Sequence, residues 1–314
     1  MNWDDTLFRI TPKTILSAAQ LWGAVEKSLK LVSKGINIVY QFEANGITKF
    51  LRITHIDIRS LAQLEAAIAF QNHLFKQNVS VCEPLKSKNS SFIEKIIQDE
   101  HVFLASTTVG IPGNQIDVNT ADRDILFQWG KELASLHLSA QKFIPEPSFK
   151  YLSVFDLLKE TEDYLEQEDK TTIKIFHELK IWLSNLEKND ANFGLTHGDH
   201  RDANVIWNSK TATIIDFDEP VYNFFMADIV RPFINFYESK TEIPTKLKYF
   251  LDGYNSFKKI NHINPVDLNN FARMKALEMF LWTKNSWNSE TVPGGGAKND
   301  WLEALRRIFS LPIV

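Results

Sequence analysis

β-Branched and aromatic residues are concentrated in three short runs within residues 28–55, a pattern typical of β-strands. The runs are SLKLVSK, NIVYQFEA and ITKFLRITH. Asn45-Gly46 separates the second run from the third and predicts a tight hairpin, because both residues tolerate positive φ. Gly35 separates the first two runs and permits another tight turn. We therefore expect a small antiparallel sheet near the start of the chain.

A helix and two more strands are predicted after the third run. Apolar residues recur at helical spacing over Ser60–Lys76, which predicts a helix with one apolar side. Strand patterns follow near Ser91–Ile97 and His101–Val109. The order of three strands, one helix and two strands indicates a small α+β unit.

Beyond Gly110 the apolar spacing becomes mainly helical. The predicted helices are Ala121–Ser139, Val154–Gln167, Thr172–Leu186, Phe225–Tyr237, Thr245–Phe257, Pro265–Asn285 and Lys298–Phe309. Two short strands, Val205–Trp207 and Thr213–Phe217, interrupt them, and Pro293–Gly296 predicts a flexible loop. We place the boundary between the two parts near residues 106–112.

The composition of the 314 residues is ordinary for a globular protein, with 44% hydrophobic and 24% charged residues. A net charge of −4 gives no general attraction to nucleic acid or anionic membranes, so we expect neither partner. No stretch approaches about 18 uninterrupted apolar residues, and the N-terminal MNWDDTLFRITPK has early acids without an apolar run. We expect no membrane span and no signal peptide. The single cysteine, Cys82, excludes an internal disulfide framework and suits the reducing cytoplasm.

The segment LTHGDHRDANVIWNSKTATIIDFDEP combines three oxygen-bearing side chains at distinctive spacing. Asp199 precedes Asn204 by five residues, and Asp216 follows twelve residues later, after an apolar, β-branched run. The two short strands between them form a plausible hairpin. That hairpin would place Asn204 and Asp216 at its adjoining open ends.

This layout suits phosphoryl transfer, which needs hard oxygen ligands for Mg²⁺ and a carboxylate beside the acceptor hydroxyl. An Asn oxygen and an Asp carboxylate from neighbouring strand ends can hold the metal. Asn204 and Asp216 are therefore the predicted Mg²⁺ ligands, and Asp199 would accept or orient the hydroxyl proton. The alternative is that Asp199 and Asp216 are turn residues or helix caps.

HGD followed by four residues and Asn, then Asp-Phe-Asp after a strand, resembles the aminoglycoside phosphotransferase/choline kinase-like family. That family is related to the protein kinases, whose corresponding motifs are HRDxxxxN and DFG. NGITKFLRITH and IIDFDEPVYNFFMADI are most similar to its homoserine-kinase-like and stress response kinase A-like branch. The resemblance implies an α+β, two-lobed protein-kinase-like fold. A small antiparallel sheet with a helix would form residues 1–108, and a larger, mainly helical lobe would form residues 109–314.

The same resemblance implies ATP in the cleft and assigns nucleotide-binding roles in the first lobe. Arg52 occupies the third-strand position where a basic residue contacts the α/β-phosphates, and Glu65 would be its ion-pair partner. Gly35 and Asn37 belong to a turn that resembles the phosphate-covering loop. An exposed Arg on an edge strand, a surface Glu and a generic turn are the alternatives.

Further roles are implied around the lobe junction and the catalytic loop. Ser106 and Thr108 would offer backbone groups to adenine. Arg201 stands two residues after Asp199, where protein kinases often place a phosphate-contacting Lys, and a solvent-exposed Arg is the alternative.

Three further residues are expected to act structurally. Asp228 resembles the Asp that opens the next helix in this family and would brace the catalytic loop. His197 would support the backbone of that loop. His137 would pack or cap within its helix.

The acceptor is left open by the sequence. Residues 156–169 contain seven acids and one base, which indicates either a solvent-exposed helix face or an acidic wall for a cationic amino alcohol or aminoglycoside. Trp282, Trp287 and Tyr222 could supply cation–π faces to such a ligand.

A kinase for a small-molecule alcohol is our first hypothesis. Asp216 runs directly into Asp218-Glu-Pro220 and a helix, without an APE-type activation segment. A protein Ser/Thr kinase of the same fold is the second hypothesis. A nucleotide-binding, pseudokinase-like module is the third, disfavoured because Asp199, Asn204 and Asp216 are all present.

Overall fold

A computed structural model of the chain describes residues 9–236, 244–260, 264–292 and 296–311. The chain divides into two compact units. One comprises the described residues up to Gly113 together with Phe143–Tyr151 and Thr213–Asp218; the other comprises Asn114–Lys142, Leu152–Ala212 and the described residues from Glu219 onward. Most of the N-terminal stretch considered for a signal peptide, and residues 293–295 of the predicted loop, lie outside the described residues.

The helices within the described residues are α1 (Pro12–Gln20), α2 (Leu61–Lys76), α3 (Arg123–Ala140), α4 (Val154–Glu162), α5 (Lys170–Asn185), α6 (Phe225–Val230), α7 (Thr245–Phe257), α8 (Pro265–Ser286) and α9 (Lys298–Phe309). The strands are β1 (Lys30–Lys34), β2 (Ile38–Ala44), β3 (Ile47–His55), β4 (Pro84–Leu85), β5 (Ile93–Gln98), β6 (His101–Val109), β7 (Asn114–Gln115), β8 (Phe193–Thr196), β9 (Val205–Trp207), β10 (Ala212–Ile214) and β11 (Val221–Phe224).

The first unit is built on an antiparallel sheet with the order β1-β2-β3-β6-β4, and β5 also pairs with β6. Ala44 pairs with Ile47 across the β2–β3 turn. Asn45 and Gly46 form that turn with φ of 54° and 74°, as a tight hairpin requires. The predicted sheet and hairpin are confirmed.

The two faces of β3 have different surroundings, because successive side chains of a strand point in opposite directions. Leu51 and Ile53 are fully buried in a cluster with Phe42 of β2 and Ile15 of α1. Arg52, between them, points to the other face of the sheet. Helix α1 was not predicted, although Thr11 caps it and Pro12 begins it, a typical helix start.

Helix α2 confirms its prediction and begins with a capping box. The Ser60 side chain accepts from the backbone of Gln63, whose side chain accepts from the backbone of Ser60. Leu64 and Ile68 pack against strands β5 and β6. One face of α2 is thereby fixed on the sheet.

The segment that carries Asp216 is held in the first unit. The Ile214 backbone N–H donates to the Ser80 carbonyl at 2.9 Å, and the hydroxyls of Ser80 and Thr213 lie 3.0 Å apart. The Phe217 ring contacts Phe70 of α2 edge to face, with centroids 6.1 Å apart. The strand predicted over Thr213–Phe217 is observed as β10, which ends at Ile214 and is therefore shorter than predicted.

In the second unit, α3 and α7 approach closely through glycines. A Cβ on Gly130 would lie 1.9 Å from the Phe250 carbonyl oxygen, and one on Gly253 would lie 1.8 Å from that of Phe127. Neither position can accept a side chain without separating the helices. This packing brings His137 of α3 within reach of Tyr254 of α7.

Strands β8 and β11 pair antiparallel, with Thr196 opposite Val221. Neither strand was predicted, and each has only four residues. Their pairing sets the start of the loop that carries Asp199.

Two predicted helices end early. The helix predicted over Val154–Gln167 stops at Glu162, where consecutive acids lie unfavourably at the negative end of the helix dipole. The helix predicted over Phe225–Tyr237 is α6 followed by a 3₁₀ turn, because Pro232 cannot donate a helical hydrogen bond. Tyr237 lies outside the described residues.

The remaining helix predictions agree with the structure to within two residues. In the part of the chain that the structure describes, no helix combines the length and apolar character needed to cross a membrane.

Candidate active site

The loop of residues 197–204, which carries Asp199, follows β8, and its second residue is a glycine that no other residue could replace without strain. Gly198 has φ of +86°, and a Cβ there would lie 1.9 Å from the carbonyl oxygen of Glu219. The steric constraint comes from Glu219, in the chain that leads into β11. The glycine of the HGD motif is therefore required by backbone geometry.

Asp228, in the first turn of α6, holds the start of this loop. Its Oδ2 accepts from the backbone N–H of His197 at 2.7 Å, and its Oδ1 accepts from that of Gly198 at 3.1 Å. Burial would raise the pKa of Asp228, but the hydrogen bond and charge of His137 lower it to about 2. The expected bracing role of Asp228 agrees with these contacts.

A buried hydrogen-bond network extends from Asp228 in both directions. His137 Nε2 lies 3.2 Å from Asp228 Oδ2, and its Nδ1 lies 2.8 Å from the Tyr254 hydroxyl. Trp129 Nε1 donates to His200 Nε2 at 2.9 Å, while His200 Nδ1 lies 3.0 Å from the Asp228 carbonyl oxygen. Since the indole only donates, His200 Nε2 is unprotonated and its Nδ1 donates. Burial lowers the pKa of His200 to about 4, which keeps this ring neutral at pH 7.

The Asp199 side chain is partly exposed, at 32%, and is held from one side by Arg231. Arg231 Nε donates to Asp199 Oδ1 at 3.1 Å, and its Nη2 lies 3.0 Å from the same oxygen. Burial would raise the pKa of Asp199, but Arg231, Lys275 and other cationic neighbours lower it. Asp199 is therefore ionised at neutral pH, as a base or orienting carboxylate must be.

Asn204 is buried and ends the 3₁₀ turn Asp202–Asn204. Its Nδ2 donates to the backbone oxygen of Asp199 at 2.8 Å, so the amide oxygen Oδ1 remains as a potential metal ligand. Arg201 is more exposed, at 40%, and its Nε lies 3.4 Å from Asp199 Oδ2. The second unit thus brings together three of the predicted residues, Asp199, Arg201 and Asn204.

In the first unit, Arg52 lies between two carboxylates. Its Nη1 donates to Asp216 Oδ1 at 2.9 Å, and its Nη2 donates to Asp218 Oδ2. Burial would lower the pKa of Arg52, but the two carboxylates outweigh it and raise the pKa. Asp216 has φ of 71°, a left-handed conformation that aspartate tolerates better than most residues. Asn37 also reaches this cluster, since its Nδ2 donates to Asp218 Oδ2 at 2.8 Å.

The expected Arg52–Glu65 ion pair is wrong. Glu65 is exposed, because α2 places Leu64 and Ile68 against the sheet and turns Glu65 toward solvent. The carboxylates that Arg52 contacts are those of Asp216 and Asp218.

The expectation for Ser106 and Thr108 also needs correction. Both lie inside β6, opposite Arg52 and Phe50 of β3. The Gly110 N–H donates to the Thr48 carbonyl, and hydrogen-bonded pairs alternate along an antiparallel ladder. The backbone groups of Ser106 and Thr108 are thus committed to β3 and are not available to adenine.

Gly35 and Asn37 form the turn between β1 and β2, where the Gly35 N–H donates to the Asn37 carbonyl at 3.0 Å. A Cβ on Gly35 would meet no heavy atom within 4 Å. Glycine is therefore not sterically required at this position.

Much of the acidic stretch 156–169 has local structural partners. Ser153 caps α4 and its backbone N–H donates to the Asp156 carboxylate, while Glu162 pairs with Lys180 at 2.5 Å. Glu168 is almost fully buried beside Lys284, at 2.6 Å. These contacts account for several acids without a ligand. Trp287, one of the predicted cation–π residues, is buried and donates to the Thr291 carbonyl.

Sequence reasoning missed Arg231, Lys275 and the anchoring role of Asp218. Arg231 follows Asp228 by three residues, so a cation one helical turn after the bracing acid was the available signal. Lys275 lies in the middle of α8, and no local pattern distinguishes it from other helix lysines.

The second unit thus presents the ionised, partly exposed carboxylate of Asp199 on a loop that Asp228 holds. The first unit presents Arg52 between two carboxylates. Asn204 and Asp216, the predicted metal ligands, belong to different units.

The sequence profile of the phosphotransferase enzyme family matches residues 28–258. Amicoumacin kinase of Bacillus subtilis (strain 168) is 22% identical over 316 residues, covering 94% of this chain and 90% of that protein.

Solved structures are also similar. An amicoumacin kinase, hAmiN, in complex with AMP-PNP, Ca²⁺ and Ami, has a TM-score of 0.84 and 20% identity, covering 98% of this chain and 96% of that one. The microcompartment-associated aminopropanol kinase has a TM-score of 0.73 and 16% identity, covering 95% of each chain. The predicted α+β, protein-kinase-like fold class is confirmed.

Proposed function

This chain belongs to the phosphotransferase enzyme family, and we propose that it transfers the γ-phosphoryl group of ATP to a hydroxyl group of a small molecule. The observation that carries this proposal is the state of Asp199. Its carboxylate is ionised, partly exposed and bound through Oδ1 by Arg231, while the contacts of Oδ2 with the described residues are longer, at 3.4 Å. A carboxylate presented in this way can receive or orient a proton from an acceptor hydroxyl.

In the proposed reaction, the acceptor oxygen attacks the γ-phosphorus and the bond to the β,γ-bridging oxygen breaks. The acceptor proton passes to Asp199 Oδ2 or is oriented by it. Asp228 keeps the loop in place through the backbone of His197 and Gly198. The protein forms no covalent bond to the substrate in this reaction. It accelerates phosphoryl transfer by positioning the reactants and by electrostatic stabilisation.

Asn204 and Asp216 are the residues we assign to Mg²⁺. Their oxygen atoms fit a hard cation. Asn204 donates through Nδ2, which leaves its Oδ1 to ligate a metal, and the Asp216 carboxylate is 39% exposed. The metal would neutralise phosphate charge and align the transferred group. Arg52 would contact the nucleotide phosphates, and Arg201 is proposed to contact the transferred phosphate.

Residues 1–108 are proposed as the nucleotide-binding lobe and residues 109–314 as the catalytic and substrate-binding lobe. A cytoplasmic location, expected from the single cysteine, belongs to the same proposal. ATP use is supported by the AMP-PNP complex of the similar amicoumacin kinase.

The acceptor class is proposed from the activities of similar proteins, which are kinases of amicoumacin, aminopropanol, spectinomycin and choline. Amino alcohols and aminoglycosides, which are cationic, are therefore included. No contact among the described residues favours a protein acceptor over these.

The test is an acceptor screen with Mg·ATP that measures ADP release and product mass. Amicoumacin, aminopropanol, choline, homoserine and spectinomycin are the acceptors, with casein and autophosphorylation as protein arms. An Asp199→Asn protein is the matched blank for ATPase background. Product from a small molecule, absent with the variant, is the expected result. Phosphorylation of casein alone would contradict the small-molecule assignment.

A further inference from the structure

The carboxylate of Asp218 connects three elements of the first unit. Its Oδ2 accepts from Asn37 Nδ2 at 2.8 Å and from Arg52 Nη2, and lies 3.4 Å from Arg59 Nε. Arg59 Nη1 also donates to the Asp218 backbone oxygen at 2.7 Å. One carboxylate therefore contacts the β1–β2 turn, the central strand β3 and the residue just before the N-cap of α2.

The two carboxylates beside Arg52 differ in exposure. The Asp218 side chain is only 11% exposed, whereas that of Asp216 is 39% exposed. If Asp216 ligates a cation, its Oδ1 becomes a weaker partner for Arg52, because the metal and the guanidinium compete for the same charge. Asp218 is the less exposed of the two carboxylates, and it also contacts Asn37 and Arg59.

We infer that Asp218 is the positioning residue of the nucleotide site, holding Arg52 and the Gly35–Asn37 turn in place for the phosphates. This inference rests on the proposed function. Asp218 is an ion-pair partner of Arg52, the role expected of Glu65 from the sequence. It follows Arg52 by 166 residues along the chain. A guanidinium held through Nη2 keeps its plane and leaves Nη1 directed toward the metal-binding Asp216.

The alternative role for Asp218 is direct metal ligation. That role predicts that excess Mg²⁺ restores nucleotide binding to a charge-neutral variant. A positioning role predicts no such rescue, because the lost interaction is between two protein side chains.

A double-mutant cycle on Arg52 and Asp218 tests the inference. The dissociation constant of Mg·AMP-PNP is measured by calorimetry for wild type, Arg52→Ala, Asp218→Asn and the double variant, at two Mg²⁺ concentrations. Each single variant should weaken binding by about 10- to 100-fold, the scale of a charge-assisted hydrogen bond. The double variant should lose less binding than the two single losses added together, because part of the effect of Asp218 passes through Arg52.

Two other carboxylates, those of Glu65 and Glu100, provide control variants. Glu65→Gln, run through the same cycle, compares the helix carboxylate with Asp218 and should show no coupling to Arg52. Glu100→Gln changes a carboxylate that is 77% exposed and controls for loss of a negative charge. Coupling of Arg52 to Glu65 but not to Asp218 would overturn the inference, as would full rescue of Asp218→Asn by Mg²⁺.

Arg59→Gln decides the question if Asp218→Asn does not fold. It removes a contact to Asp218 without removing either carboxylate, so weaker nucleotide binding that is non-additive with Arg52→Ala supports the inference. Unchanged binding in Arg59→Gln overturns it. A wild-type protein that binds no Mg·AMP-PNP would contradict the proposed function itself, whereas nucleotide binding with an additive cycle contradicts only the role of Asp218.

Discussion

Arg231 holds Asp199 through a single oxygen. Both Nε and Nη2 of Arg231 lie 3.0–3.1 Å from Asp199 Oδ1, whereas Asn204 and Arg201 lie 3.4 Å from Oδ2 in the part of the chain that the structure describes. The carboxylate is thus fixed in orientation with one oxygen left for an acceptor. This arrangement suits a residue that must meet a hydroxyl in one geometry.

Asp199→Asn should reduce kcat by about two to four orders of magnitude, the usual worth of a general base, with little change in ATP affinity. Asn preserves the shape of the side chain but removes the charge that attracts the proton. Steady-state kinetics and nucleotide titration measure the two effects. Asp252→Asn, on the exposed side of α7, is the control. Turnover of the Asp199 variant near the wild-type rate would overturn the central assignment.

Arg231→Gln should shift the acidic limb of the kcat/KM profile to higher pH. Arg231 lowers the pKa of Asp199 in the folded protein, so its removal raises that pKa and protonates the base at a higher pH. Arg231→Lys keeps the charge and should shift the limb less. A pH profile in which the glutamine variant overlays the wild type would show that Arg231 does not tune Asp199.

Asp216→Asn should abolish turnover and weaken the magnesium dependence of nucleotide binding. Stability should fall by no more than about 1 kcal/mol, because Asp216 is partly exposed and Asn also tolerates the left-handed backbone. Activity, Mg²⁺ titration and thermal unfolding measure these three effects. Asp99→Asn is a matched control, since Asp99 is an exposed aspartate with φ of 52°. Ordinary turnover by the Asp216 variant would exclude it as a metal ligand.

Acid should destabilise the fold through His200. Burial lowers the pKa of His200 to about 4, whereas the pKa of a histidine in the unfolded chain is about 6.5. The unfolded chain therefore binds the extra proton as pH falls below about 6.5, and stability is lost down to about pH 4. Between about pH 7.5 and pH 5 this one group removes about 2 kcal/mol.

Urea unfolding at several pH values measures that slope. His200→Gln should flatten it, since glutamine can replace the hydrogen bonds but does not titrate. His177→Asn, at an exposed position of α5, should retain the wild-type slope. Equal slopes in wild type and His200→Gln would show that another group controls the acid sensitivity.

Gly198→Ala should reduce both stability and activity. The new Cβ would meet the Glu219 carbonyl oxygen, and alanine is strained at φ of +86°. A residue forced into such a conformation costs about 1–3 kcal/mol, and the loop carrying Asp199 must move as well. Gly296→Ala is the control, because its nearest neighbour would lie 3.8 Å away and its φ is not positive. Wild-type stability and kcat in the Gly198 variant would contradict this account.

Local sequence patterns determined the elements and the chemistry-bearing motif. Asn45-Gly46 predicted the β2–β3 hairpin, and the apolar spacing of Ser60–Lys76 predicted α2 to within one residue. These features depend on residues only a few positions apart, so the sequence contains what is needed to predict them. The HGD motif with Asn204 five residues after Asp199, followed by Asp-Phe-Asp after a strand, was sufficient to recognise the family.

Only the tertiary structure decided which charges meet. Arg52 contacts Asp216 and Asp218, which follow it by 164 and 166 residues, and Glu65 is excluded because α2 packs its other face on the sheet. Asp199 is paired with Arg231, 32 residues away. Such pairs arise from strand order and helix packing, which bring together residues that no local pattern relates. A side chain's type is readable from the sequence, but its partner depends on the packing of the whole unit.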